Sequence, residues 1–140
     1  VRVIITKSWQ DEKGNKNTNL SPDLIELNFL TDNGWQVANA QSTKERTVLY
    51  YTKAVAAGDT TPALSDTLRI NPSIASDVTK HVTESEKGKT ITYTYKYDGY
   101  TFHVDAEVDA VQTHNAKDAI KSAWGVDVNV SDDETTMSLQ

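Results

Sequence analysis

Apolar and polar residues alternate along most of this chain, and the alternation sets the expected elements. Val1, Val3 and Ile5 mark a strand already under way at the first residue, with Trp9 placed to close its inner face. Residues 11–19, rich in Asp, Lys, Gly and Asn, read as a loop. Ser21-Pro22 then leads into a second run in which Ile25, Leu27 and Phe29 share a face. Asp32-Asn33-Gly34 is a turn signal ahead of Trp35 and Val37, and the polar stretch 39–46 reads as a loop or hairpin tip. Residues 47–55 and 63–70 supply further strands, separated by the turn residues Ala57-Gly58-Asp59-Thr60.

The clearest alternation sets Ile91, Tyr93, Tyr95 and Tyr97 against Thr92, Thr94 and Lys96. It ends at Asp98-Gly99, the pair that most strongly signals a hairpin. The return strand carries Tyr100, Phe102, Val104, Ala106, Val108 and Ala110 on one face and His103, Asp105, Glu107 and Asp109 on the other. Residues 71–80 have no clean period, although Ile74 and Val78 are spaced for one helical turn. A 3.6-residue period appears once, in Ala116, Ala119, Ile120, Ala123 and Trp124, with Thr113 or Asn115 as cap and Gly125 as stop. Val126, Val128 and Val130 follow as a last strand, before the acidic turn Ser131-Asp132-Asp133-Glu134 leads to Met137 and Leu139. Many strands with one short helix near residues 115–124 favour an all-β, jelly-roll-like β-sandwich over an α/β sheet, in a single domain spanning residues 1–140.

Composition narrows the classes of function. Fourteen Lys and Arg against twenty Asp and Glu give a net charge of -6, a field that repels phosphate backbones and anionic membrane surfaces, so nucleic acid is not an expected partner. The densest cationic stretch, Glu86-Lys87-Gly88-Lys89, reads as a solvated turn. The absence of Cys excludes disulfide scaffolds, thiol catalysis and thiolate metal sites. No apolar run is long enough for a membrane span or signal segment. The start at Val1, without an initiator Met, creates the expectation of residues upstream.

Candidate chemistry is sparse. His81, His103 and His114 fall in no tight metal-ligand spacing, and Asp105, Glu107 and Asp109 recur about 7 Å apart along one strand face, too far to share an ion unaided. Lysines on a neighbouring strand are the expected partners of that ladder. The acidic turn at residues 131–134 lacks the Gly and oxygen spacing of a calcium loop. No Gly-rich phosphate cradle or nucleophile elbow is present, so no catalytic, cofactor or metal residues are assigned and enzymatic activity is not expected. Alternation places Tyr93, Tyr95 and Tyr97 together, and core burial is the favoured reading of that row. Trp35, Tyr97 and Tyr100 form a candidate aromatic surface for a glycan or host protein.

Three stretches taken together carry a resemblance: Trp35 with Tyr50-Tyr51-Thr52-Lys53; Ala57-Gly58-Asp59-Thr60-Thr61; and residues 104–124 with Ala110-Val111-Gln112 and Ala123-Trp124-Gly125. Their order and spacing resemble the TasA/camelysin family of bacterial exported proteins over most of the chain, with Ala57 in place of the usual Pro and Asp59 in place of the usual Glu. The resemblance implies a jelly-roll domain, exported to the extracellular space or cell surface of a Gram-positive bacterium. It also implies self-association into surface or biofilm-matrix fibres, by lending an N-terminal strand to the next subunit. Val1-Arg2-Val3 matches the middle of a family strand normally preceded by others, so N-terminal strands are expected to be missing. Val1, Val3 and Ile5 are then the candidate assembly edge. Two alternatives stand beside this reading: a carbohydrate- or host-binding adhesin module, and the metallopeptidase activity ascribed to the camelysin branch, whose zinc motif has no counterpart here.

Overall fold

A computed structural model describes every residue except Lys87 and, for residues 88–90, the side chains. The chain forms β1 (Arg2–Gln10), β2 (Lys16–Asn17), β3 (Ile25–Phe29), β4 (Trp35–Val37), β5 (Arg46–Tyr51), β6 (Ser65–Ile70), β7 (Val78–Ser85), β8 (Gly88–Tyr95) and β9 (Thr101–Asp109). After these come α1 (Ala116–Trp124), β10 (Val128–Val130) and β11 (Met137–Leu139). The all-β class inferred from the alternation is the one adopted; among the described residues all the strand pairs are antiparallel, and the single α-helix lies within the expected span.

The largest sheet has β1 at its centre. β9 pairs along the whole of β1, while β5 pairs the first half of its opposite side and the short β2 pairs the end. β4 completes the sheet beyond β5. Because side chains alternate across a strand, β1 feeds two cores. Val3 and Ile5 join Trp35, Leu49 and Tyr51, which pack against Leu27 and Phe29 of β3. Ile4 joins Ala38, Val48 and Tyr50 on the other face, where Trp124, Val126, Met137 and Leu139 cover them. The β3–β6 pair therefore closes one side of the central sheet, and α1 with the β10–β11 ribbon closes the other. A third cluster, Trp9, Leu20 and Ile25, takes Tyr97 and Tyr100 onto its edge.

Local chemistry explains several junctions. Gly125 ends α1 in the left-handed region at φ 69, with its N–H bonded to the Lys121 carbonyl, as the stop signal implies. Asn115 occupies the N-cap position but gives no side-chain cap; its own N–H donates to Glu134 Oε1 at 3.0 Å. The acidic turn is self-bonded: Asp133 Oδ1 accepts from Ser131 Oγ, Thr135 Oγ1 and the Thr135 N–H, which holds its carboxyl below the usual range. Gly34 adopts φ +107, and a Cβ there would stand 2.8 Å from the Tyr51 ring. Gly34→Ala is thus expected to lower unfolding free energy by about 1–3 kcal/mol, read from urea denaturation.

The β3–β6 pair is tied by charge as well as by its ladder. Glu26 accepts from Arg69 Nε at 2.7 Å and from Asn71 Nδ2 at 2.6 Å, and these bonds, Arg69's first, hold its carboxyl below the ordinary glutamate value. A carboxylate with a depressed folded-state pKa contributes stability that is complete above its unfolded pKa. That stability is lost as pH falls through the folded value. The melting temperature should accordingly fall as pH drops below about 4.5. Glu26→Gln should flatten that decline; an unchanged acid slope in the variant would remove the linkage from Glu26.

Two expectations are corrected. The Asp98-Gly99 hairpin does not form: β8 pairs with β7 and β9 pairs with β1. Two turns in succession separate them, with Asp98 N–H on the Tyr95 carbonyl at 3.2 Å and Tyr100 N–H on the Tyr97 carbonyl at 3.3 Å. The first of these rotates the chain before the second can set the strands side by side. The second correction concerns Val1, Val3 and Ile5, which are not an edge. β1 is paired on both sides, Val3 and Ile5 are buried, and the Val1 carbonyl accepts from Tyr51 N–H at 2.8 Å.

Candidate assembly edges

The open edges lie elsewhere, and they follow from the same ladders. Among the described residues β9 pairs with β1 alone, β6 with β3 alone, and β7 and β8 only with each other. An unpaired strand edge presents free backbone donors and acceptors and can accept another strand. On β9 the side chains at positions 102, 104, 106 and 108 share the inner face with Trp9, Lys7, Ile5 and Val3 of β1. That face should be covered, yet Val108 is 64% exposed and Phe102 39%. On β6, Leu68 sits beside Leu27 of β3 and is 48% exposed. The layer that closes the central sheet therefore stops short of its β9 side, and apolar side chains that alternation assigns to the interior meet solvent.

The β7–β8 hairpin is the largest exposed apolar element. Its register sets Val78 opposite Tyr95, Lys80 opposite Tyr93 and Val82 opposite Ile91 on one face, with Thr79, His81, Thr92 and Thr94 on the other. Val82, Ile91, Tyr93 and Tyr95 are each about half exposed, and the Lys80 ammonium lies 5.9 Å from the centre of the Tyr93 ring. At the hairpin base Lys96 N–H donates to the Asp77 carbonyl at 3.0 Å and Lys96 Nζ reaches Asp77 Oδ2 at 3.1 Å, and just beyond it Tyr97 packs on Trp9 of the central sheet with centroids 5.1 Å apart.

The aromatic row divides accordingly: Tyr93 and Tyr95 are not core, whereas Tyr97 and Tyr100 are partly buried. The candidate surface of Trp35, Tyr97 and Tyr100 does not assemble. Trp35 is 2% exposed, donates Nε1–H to the Pro62 carbonyl at 2.8 Å and packs on Tyr51, in a different cluster from the two tyrosines.

The chain matches no family model, no curated protein and no solved structure. The site is therefore read from its own chemistry. Among the described residues no three His, Asp or Glu side chains gather to hold a metal ion. The depression beside Tyr51, Thr52, Ile120 and Met137 has a volume of about 50 Å3, while a larger surface groove of about 640 Å3 is lined by Arg2, Gln41, Arg46, Trp124 and Gln140. Among the described residues no helix is long and apolar enough to cross a membrane. The acidic ladder on β9 finds arginine and not lysine: Asp109 accepts from Arg2, whose guanidinium also lies 5.2 Å from the Trp124 ring centre. Asp105 and Glu107 stand opposite Thr6 and Ile4, which offer no cation.

The exposed β7 strand was the element hardest to read from sequence. Val78 and Val82 stand four residues apart with Lys80 between them, so the run has no period of two over most of its length. That sparse pattern was itself the available signal, since a strand with so few apolar positions has little to bury.

Proposed function

We propose that this chain is a structural subunit of a bacterial surface or biofilm matrix, exported from the cell, that joins its neighbours by strand addition. The observation that carries this reading is the incomplete sandwich. The free edge of β9 runs beside inner-face residues that stay exposed, Val108 above all. A strand added there would gain backbone hydrogen bonds and bury apolar side chains at once, which is how strand addition combines affinity with specificity. The acidic surface and the lack of Cys are compatible with an extracellular fibre, and the resemblance to the TasA/camelysin family points the same way. The test is assembly of the mature protein. Negative-stain micrographs should show fibres, or light scattering a mass that rises with concentration; monomers alone at every concentration would overturn the reading.

A second reading, a carbohydrate- or host-binding adhesin module, draws on Tyr93 and Tyr95, which alternation places on one face with both rings half exposed. Such rings can stack on sugar faces or on a partner protein. Glycan-array binding abolished by Tyr93→Ala with Tyr95→Ala would favour it, and an array with no signal would remove its carbohydrate form.

A further inference from the structure

Taking the strand-addition reading as given, we infer that the strand added to β9 is β8 of a second copy, carried in with its partner β7 as an intact hairpin. β1 is already paired on both sides within its own sheet, whereas β8 has a free edge and an exposed apolar face.

The two edges match in pattern. With β8 set beside β9 and the faces aligned, Ile91, Tyr93 and Tyr95 extend the apolar row that Phe102 and Val108 leave exposed. The opposite faces do not oppose like charges. Alternation gives β8 the hydroxyls of Thr92 and Thr94, which can donate to carboxylates, followed by Lys96, whose ammonium pairs with Asp77 of the same hairpin. β9 gives Asp105 and Glu107, for which β1 provides no cation. The rival occupant, β9 of a second copy, would set these carboxylates against their own counterparts, and like charges directly opposite destabilise a strand pair.

The same chain cannot supply its own β8 without loss. Folding the hairpin back would break the Tyr95–Asp98 turn bond and the packing of Tyr97 on Trp9. Between copies neither is disturbed. Because β8 and β9 are different surfaces, the contact is head-to-tail, and unless its rotation closes a ring it propagates as an open filament.

The natural chain has no Cys, which makes disulfide trapping direct. Donor variants Thr92→Cys and Thr94→Cys are mixed pairwise with acceptor variants Asp105→Cys and Glu107→Cys, oxidised mildly under conditions where light scattering shows oligomers, and run on a non-reducing gel. At least one donor–acceptor pair should give heterodimer at about tenfold or more over either homodimer. A chain carrying that pair of cysteines should give a ladder of multimers. If oligomers form but heterodimers never exceed the homodimers, β8 is not the donor, while strand addition stands. If the doubly substituted chain instead closes as a disulfide-bonded monomer, the hairpin folds onto its own β9 and the exchange between copies is overturned. If no oligomers form at any concentration, the strand-addition reading fails and this assignment fails with it.

Discussion

Replacing Trp9 with alanine is expected to cost about 3–5 kcal/mol of unfolding free energy, the range for removing a large buried aromatic side chain. Trp9 is 3% exposed and joins three parts of the chain. Its Nε1–H donates to the Ser21 carbonyl at 2.9 Å, its ring packs on Tyr97, and Phe102 meets it edge-on at 6.3 Å. Against a total stability of about 5–15 kcal/mol for a domain of this size, the loss leaves little margin. Trp9→Phe separates the contributions, because it keeps a ring and removes the Ser21 bond at a cost near 1 kcal/mol beyond the lost volume. The measurement is the urea midpoint with its slope. A second consequence concerns assembly. Tyr97 rests on Trp9, so in the alanine variant the amides of residues 96–100 should exchange with solvent faster than those of β5. Equal protection at both places would mean that Trp9 does not hold the hairpin base.

Most of the architecture was legible because alternation is a local property. The central strand, the run through Ile25, Leu27 and Phe29, and the helix ended by Gly125 each announce themselves within a few residues. What alternation does not encode is which strand lies beside which. Asp98-Gly99 is a sound local turn signal and a turn does form there, but Tyr97 finds a better partner in Trp9, distant in sequence, and the two strands part. The same non-local choice explains the misplaced edge. Val1, Val3 and Ile5 read as a terminal strand, and a terminal strand is easily taken for an edge; only the pairing of β5 on one side and β9 on the other reveals it as the centre. Trp35 reads as a surface residue for a related reason. A lone tryptophan after a turn gives no sign in sequence of which layer it enters, and here the layer is the interior against Tyr51.

Val108→Glu should abolish assembly while leaving the monomer nearly as stable as before. Val108 is 64% exposed in the isolated chain, so a carboxylate there displaces little buried surface and the change in unfolding free energy should stay within about 1 kcal/mol. In the assembled state the same position lies on the apolar face to which a neighbour's strand is added. Burying a valine contributes about 1.5–3 kcal/mol, and the substitution forfeits that term. It also adds a charge that must be desolvated on an apolar face. A combined penalty of about 3 kcal/mol or more corresponds to a rise of roughly a hundredfold in the concentration needed for oligomers, since each 1.4 kcal/mol is a factor of ten. Val3→Glu makes the contrast: Val3 lies directly opposite Val108 in the ladder but is 2% exposed, so its substitution should unfold the chain itself. Sedimentation velocity together with thermal melts separates the two cases. A folded Val108→Glu chain that assembles at wild-type concentrations would show that this face of β9 is not where copies meet.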